Sequence, residues 1–310
     1  MVRGFLCAAL LLSGCIELGV ITDGTSISVG RASNGFLVDA ARLPDKGDGY
    51  ITREIWLQRD NRYGTDELVE LITGVARRLA PQMKGTKLVI ADMSSKHGGG
   101  GRENSAFHRS HQSGRDADLL YYMRDAQGQP FEADAMHQFD GRGRTHDGSG
   151  ITLDVPRTWL LVKELVVAPE APVQFIFMYE PVARLVLEHA AQIGEPAAVI
   201  AKARLALKQP GDSARHDDHM HVRVYCSKAD REFGCVDMGP MELLAEREAE
   251  HSQLLELVGQ VVTHGDATTH GDATTQSAAA ITPSGASVGA TSAAASLGTR
   301  ADRIDLRGWR

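Results

Sequence analysis

The sequence predicts one mixed domain of α-helices and short β-strands, carried between two ends that belong to no core. Three observations predict it. Leu68, Leu71, Ile72, Val75 and Leu79 recur at helical spacing, the apolar stripe of an amphipathic helix facing a core. Residues 87–92 (KLVIAD) and 173–178 (VQFIFM) are apolar runs of strand length. Past Val262 the chain changes to Ala, Gly, Ser and Thr, and repeats HGDATT at 264–269 and 270–275, a composition that cannot bury a core. The chain has 310 residues, 43% of them hydrophobic. Without the ends, about 220 residues remain, an ordinary size for one well-packed domain.

The N-terminus reads as an export signal. Arg3 supplies a positive charge and residues 5–12 an apolar run too short to span a membrane. The run ends in Leu12-Ser13-Gly14-Cys15, which resembles the lipobox of bacterial lipoproteins. That resemblance implies a signal over 1–14, a lipid on Cys15 and a linker over 15–34. Ile16 follows Cys15 where an aspartate commonly marks inner-membrane retention, so the expected location is the periplasmic face of the outer membrane. With Cys7 removed and Cys15 lipidated, Cys226 and Cys235 are left as an even pair in an oxidising compartment. They are expected to form a disulfide.

The domain is expected over 35–262, in this order. Residues 16–50 show little period, with 35–44 the ordered part. Thr65 caps the first long helix, which runs to about Ala80. Residues 87–92 form a buried strand, and a glycine-rich loop at 96–101 makes a flexible cleft wall. Residues 116–122 alternate as a strand, and 124–150 are turn-rich. Pro156 opens a helix with Trp159, Leu160, Val162 and Leu165 inward. Strand 173–178 is followed by helices 181–193 and 196–207. Strand 219–225 places His219, His221, Arg223 and Tyr225 on one face, with Met220, Val222 and Val224 on the core face. A helix at 241–258 precedes the tail over 263–310, whose His264 and His270 read as solvated.

Two clusters carry the chemistry. His108 and His111 stand ahead of Asp116 and Asp118, and His216, His219 and His221 follow about a hundred residues on. Together they hold five of the twelve histidines. Imidazole nitrogen and carboxylate oxygen in such sets suit zinc, which in catalytic sites keeps a fourth position for water. His219 and His221 share a strand face roughly 6–7 Å apart, so one can bind metal while the other reaches the water. Asp116 either supports a ligand histidine or faces solvent, and Asp92 either lines the cleft or serves a turn. A net charge of -7, a pI near 5.9 and 5% aromatics give no electrostatic or stacking case for nucleic acid.

Residues 59–64 (RDNRYG), Asp92, 110–119 (SHQSGRDADL), 173–177 (VQFIF) and 216–226 (HDDHMHVRVYC) resemble the penicillin-insensitive murein endopeptidases. These belong to a larger group with the D-Ala-D-Ala dipeptidases, lysostaphin-type enzymes and the hedgehog fold. The resemblance implies an α+β fold, a small antiparallel sheet flanked by helices. It implies zinc held by His111, Asp118 and His221, with His108 a weaker candidate ligand. It makes His219 the base beside a metal-activated water, and His216 an auxiliary catalytic residue. The implied reaction is hydrolysis of the D-alanyl–meso-diaminopimelate cross-link amide of peptidoglycan. A stem-peptide carboxypeptidase of the same group and a non-catalytic peptidoglycan-binding lipoprotein are the alternatives.

Overall fold

The computed structural model describes residues 24–99, 108–211 and 213–265. The signal, Cys15 and the tail from 266 onward, His270 included, lie outside these. The described residues up to Val258 form one compact unit.

Order begins ahead of residues 35–44, where the sequence shows no period. β1 (Ile27–Arg31) and β2 (Asn34–Val38) form an antiparallel hairpin, with Gly30 opposite Gly35. Gly35 is obligatory there, because a Cβ would lie 2.3 Å from the Val29 carbonyl. Then come β3 (Ala41–Arg42), β4 (Lys46–Gly47), β5 (Tyr50–Ile51), the short helix α1 (Glu54–Leu57), β6 (Tyr63–Gly64), α2 (Asp66–Leu79) and β7 (Leu88–Val89). β3 pairs with β6, and β5 lies between β4 and β7. Thr65 caps α2 by accepting from the Leu68 amide, and every residue of the expected stripe is buried.

The central sheet carries the site. It comprises β8 (Asp116–Leu120), β12 (Val173–Phe177), β13 (Leu207–Lys208) and β14 (His219–Val224), in the order β13-β12-β14-β8. β14 runs antiparallel to both neighbours, while β13 runs parallel to β12. The fold is thus α+β, as expected. Register decides the chemistry: His221 stands opposite Asp118 and Arg223 opposite Asp116. Directly opposed side chains on one face lie about 5 Å apart, within reach of one another. Met220, Val222 and Val224 turn the other way and are fully buried.

The residues between β8 and β12 are more regular than their turn-rich composition suggests. β9 (Met123–Arg124) pairs on either side with β10 (Pro130–Phe131) and β11 (Thr152–Leu153). α3 (Val155–Val166) follows, its N-terminus capped by the Asp154 carboxylate on the Arg157 amide. Its core face is Thr158, Trp159, Leu161, Val162 and Leu165. This corrects Leu160, which is only half-buried, because 158, 161, 162 and 165 repeat at helical period and 160 falls off that stripe. α4 (Glu180–Gln192) and α5 (Ala197–Ala206) pack with α2 around α3. α6 (Lys228–Glu232) follows β14, and α7 (Glu242–Gly265) buries Leu243 and Leu244 near its start. Cys226 and Cys235 are disulfide-bonded, tying the end of β14 to the segment that pairs at Gly30. Among the described residues no helix is long and apolar enough to cross a membrane.

Candidate metal centre

Four imidazoles surround one buried carboxylate. Asp118 is fully buried, and neither of its oxygens has a hydrogen-bond partner among the described residues. Around Oδ1 stand His111 Nε2 at 3.3 Å, His219 Nε2 at 3.4 Å and His221 Nδ1 at 3.5 Å. His108 Nδ1 lies 3.6 Å from Oδ2. These are longer than hydrogen bonds to a carboxylate. They match the edges of a tetrahedron of ligands at zinc distances, about 3.3–3.4 Å. Within this group, His108, His111 and Asp118 offer atoms all within 4.8 Å of one another, a set able to hold a metal ion.

Each imidazole is oriented by its other nitrogen. His111 Nδ1 lies 3.1 Å from the Met93 carbonyl, so a proton on Nδ1 turns Nε2 inward. His221 Nε2 lies 2.6 Å from Asp116 Oδ1, leaving Nδ1 facing Asp118. His219 Nδ1 lies 2.6 Å from Asp218 Oδ1. His108 Nε2 lies 3.2 Å from Asp92 Oδ2, and its ring stacks on His111 with centroids 4.2 Å apart. The sequence left Asp116 and Asp92 open between supporting and bland roles. Both touch a site histidine. His216 is placed otherwise: its Nδ1 lies 2.8 Å from the Ala214 carbonyl, and its ring is 5.1 Å from that of His219.

The backbone is bent to deliver these groups. His111 and His216 adopt φ of 69° and 56°, the left-handed region that non-glycine residues rarely enter. Such conformations persist only where the surroundings impose them. The His111 carbonyl accepts from Ser94 Oγ, and the His216 carbonyl from the Tyr121 hydroxyl and the Tyr179 amide. The glycine loop is pinned at its described end: Gly99 donates to the Gln112 carbonyl at 2.7 Å, and a Cβ on Gly98 would lie 2.2 Å from that oxygen.

The site keeps its central carboxylate charged. Burial opposes ionisation of Asp118, but His111 and His219 outweigh it and hold its pKa well below the usual carboxylate range. Burial also opposes charge on His219, yet Asp118 and Asp218 push it up to about 10. His221 is driven down to about 3, by burial and then by His111, so it stays neutral with a lone pair to offer. A proton on His219 and a metal ion would thus answer the same negative charge.

A family model described as penicillin-insensitive murein endopeptidase matches residues 28–256. The chain belongs to that family. It is similar to the penicillin-insensitive murein endopeptidase of Haemophilus influenzae, with 34% identity over 121 residues, covering 39% of this chain and 38% of that protein. It is also similar to those of two Klebsiella pneumoniae strains, with 28% identity over 225 residues, covering 70% of this chain and 72% of theirs.

Of the residues that the murein endopeptidase resemblance named, the structure gathers His108, His111, His219 and His221 around Asp118 and places His216 beside His219. Sequence reasoning missed Asp218 beside His219 and Phe177, whose ring stands edge-on to His221 at 5.2 Å. Asp218 was legible in principle, since the HDDHMH run places a carboxylate next to the candidate base. Phe177 depends on the register of β12 against β14, where it pairs with His221.

Proposed function

We propose that this chain is a zinc-dependent murein endopeptidase that hydrolyses the D-alanyl–meso-diaminopimelate cross-link of peptidoglycan. The observation that carries the reading is the buried Asp118 carboxylate, without hydrogen bonds, among four imidazole nitrogens at ligand-to-ligand spacing. Family membership supplies the substrate class. His111, Asp118 and His221 would hold the ion, with His108 behind them on Asp92. When bound, zinc supplies Lewis-acid polarisation of the scissile carbonyl and a water acidified towards neutrality.

This chain's residues do the rest. His219, once its charge is displaced by the metal, takes the proton of the attacking water and returns it to the leaving amine. Asp218 fixes the His219 tautomer, leaving Nε2 as the proton acceptor. Asp116 does the same for His221, and Met93 for His111. His216 stands beyond His219 as a polar neighbour of the leaving side. We further propose that the domain works from a lipid anchor at Cys15 on the periplasmic face of the outer membrane, with residues 263–310 as a tail outside the catalytic domain.

The test is incubation of metal-loaded protein with purified cross-linked muropeptide dimers. Conversion to monomers, lost on chelation and restored by zinc, is the expected result. Release of terminal D-alanine without monomer formation would instead make it a carboxypeptidase, and binding without cleavage a non-catalytic lipoprotein. Cys15→Ser should release the chain from membranes without loss of soluble activity. Retention in the membrane fraction would show that something else anchors it.

A further inference from the structure

A second, basic pocket lies beside the metal centre. It has a volume of about 180 Å³ and is lined by Arg31, Arg115, Arg223, Gln174, Val236 and Met238, among others. Its polar groups are incompletely matched. Arg223 donates Nε to Asp116 at 2.7 Å, and its two terminal nitrogens have no hydrogen-bond partner among the described residues. Arg115 is almost fully buried and bonds to Asp237 and to the Val224 and Val236 carbonyls, yet its Nε has no partner. Gln174 is fully buried and donates to the Met238 carbonyl, but its Oε1 has no partner. Arg31, exposed at the hairpin end, forms no ion pair among the described residues. Arg115 and Arg223 are thus answered by Asp237 and Asp116, while Arg31 has no carboxylate partner among the described residues.

The pocket is joined to the metal centre on both sides. Arg223 follows His221 by two residues on the same strand face, and both bond to Asp116 Oδ1. Phe177 lies between them, edge-on to His221 and beneath the Arg223 guanidinium at 5.2 Å. On the other wall, the Ala32 carbonyl accepts from the Gln112 amide, next to His111. A register shift between Val173 and Phe175 falls at Gln174, and such irregularities redirect a side chain. The outer wall is held by the Cys226–Cys235 disulfide and by the Val236 amide on the Gly30 carbonyl.

We propose that this pocket is a substrate subsite for an α-carboxylate that carries an N–H group on its α-carbon. The arginine donors take the carboxylate, in the paired geometry that guanidinium favours. The Gln174 oxygen takes the N–H, which a simple inorganic anion would leave unmatched. In cross-linked stem peptides two groups have this chemistry: the diaminopimelate α-carboxylate beside the nitrogen acylated in the cross-link, and a C-terminal D-alanine. Seated there, either one would set the neighbouring amide across the metal centre. This extends the endopeptidase reading and rests on it for the substrate.

The experiment uses the full chain, metal-loaded, with the stem tetrapeptide as probe in titration calorimetry. Three forms are compared: the free acid, the diaminopimelate carboxamide and the tripeptide lacking D-alanine. Wild type should bind the free acid roughly tenfold to a hundredfold more tightly than the form lacking the recognised carboxylate. Which of the two altered forms loses affinity identifies the group. Arg31→Ala, at an exposed turn, should abolish most of that difference with metal content unchanged, and Arg31→Lys should restore part of it. In dimer cleavage the same variant should raise KM and spare kcat. Equal binding of all three forms by wild type, or a preference untouched by Arg31→Ala, overturns the proposal. Selective binding without dimer cleavage would sustain the pocket and sink the endopeptidase reading.

Discussion

Asp118 is the residue on which the site turns, because it is the one buried carboxylate that every site histidine except His216 approaches. Asp118→Ala should therefore lose most bound zinc, read by elemental analysis of protein purified without added metal; full occupancy would remove Asp118 from the ligand set. His219 differs from His221 in what its second nitrogen touches, Asp218 for one and Asp116 for the other. His219→Ala should keep zinc and lose on the order of 10²–10⁴ in rate, as a missing general base does. His221→Ala should lose zinc as well as activity. The opposite metal contents in the two variants would reverse the roles, and full activity with zinc in both would end the metallopeptidase reading. Asp218→Asn keeps the size of the side chain but removes the charge that orients His219. It should keep its metal and lose about 10–100-fold in kcat, the usual scale for a partner that orients a site histidine.

At the scale of elements, β14 is the part that cannot move. Its core face of Met220, Val222 and Val224 is fully buried, so a one-residue slip would bury His219, His221 and Arg223 in their place. The disulfide fixes its end and closes a loop with a sequence separation of 9. Replacing both cysteines by alanine should lower unfolding free energy by about 2–3 kcal/mol in non-reducing denaturation. An unchanged midpoint would show that the strand is held by packing alone. α3 offers an independent check on the core. Trp159 is fully buried and its indole donates to Glu195 at 3.1 Å. Trp159→Ala should cost about 3–5 kcal/mol, while Leu160→Ala on the half-buried flank should cost far less. Equal losses would mean that the burial pattern of this helix is wrong.

For the molecule as a whole, what was legible in the sequence was what repeats or clusters locally. The stripe of α2, the strand alternation of β14 and the two histidine clusters all depend on spacing along the chain. What was hidden depends on distant pairing. The β1–β2 hairpin lacks any hydrophobic period, since Phe36 and Val38 are exposed, and its turn, Ala32-Ser33, carries no glycine or proline signal. Likewise no local pattern reveals that Arg223 stands opposite Asp116, or that residues 31, 115 and 174 meet. The same non-local assembly determines how the metal should act on stability. The proposed ligands come from the segment before β8, from β8 itself and from β14, three stretches that meet only in the folded chain. The unfolded chain has no such site, so bound zinc stabilises the native state by mass action. At a thousandfold excess over the dissociation constant the gain is about 4 kcal/mol. For a domain of this size that raises the melting temperature by on the order of 10 °C. Calorimetry of chelator-stripped protein with and without added zinc should show this rise in the wild type and in His219→Ala, and not in Asp118→Ala. A melting temperature indifferent to zinc in the wild type would mean that these side chains meet for some purpose other than holding a metal.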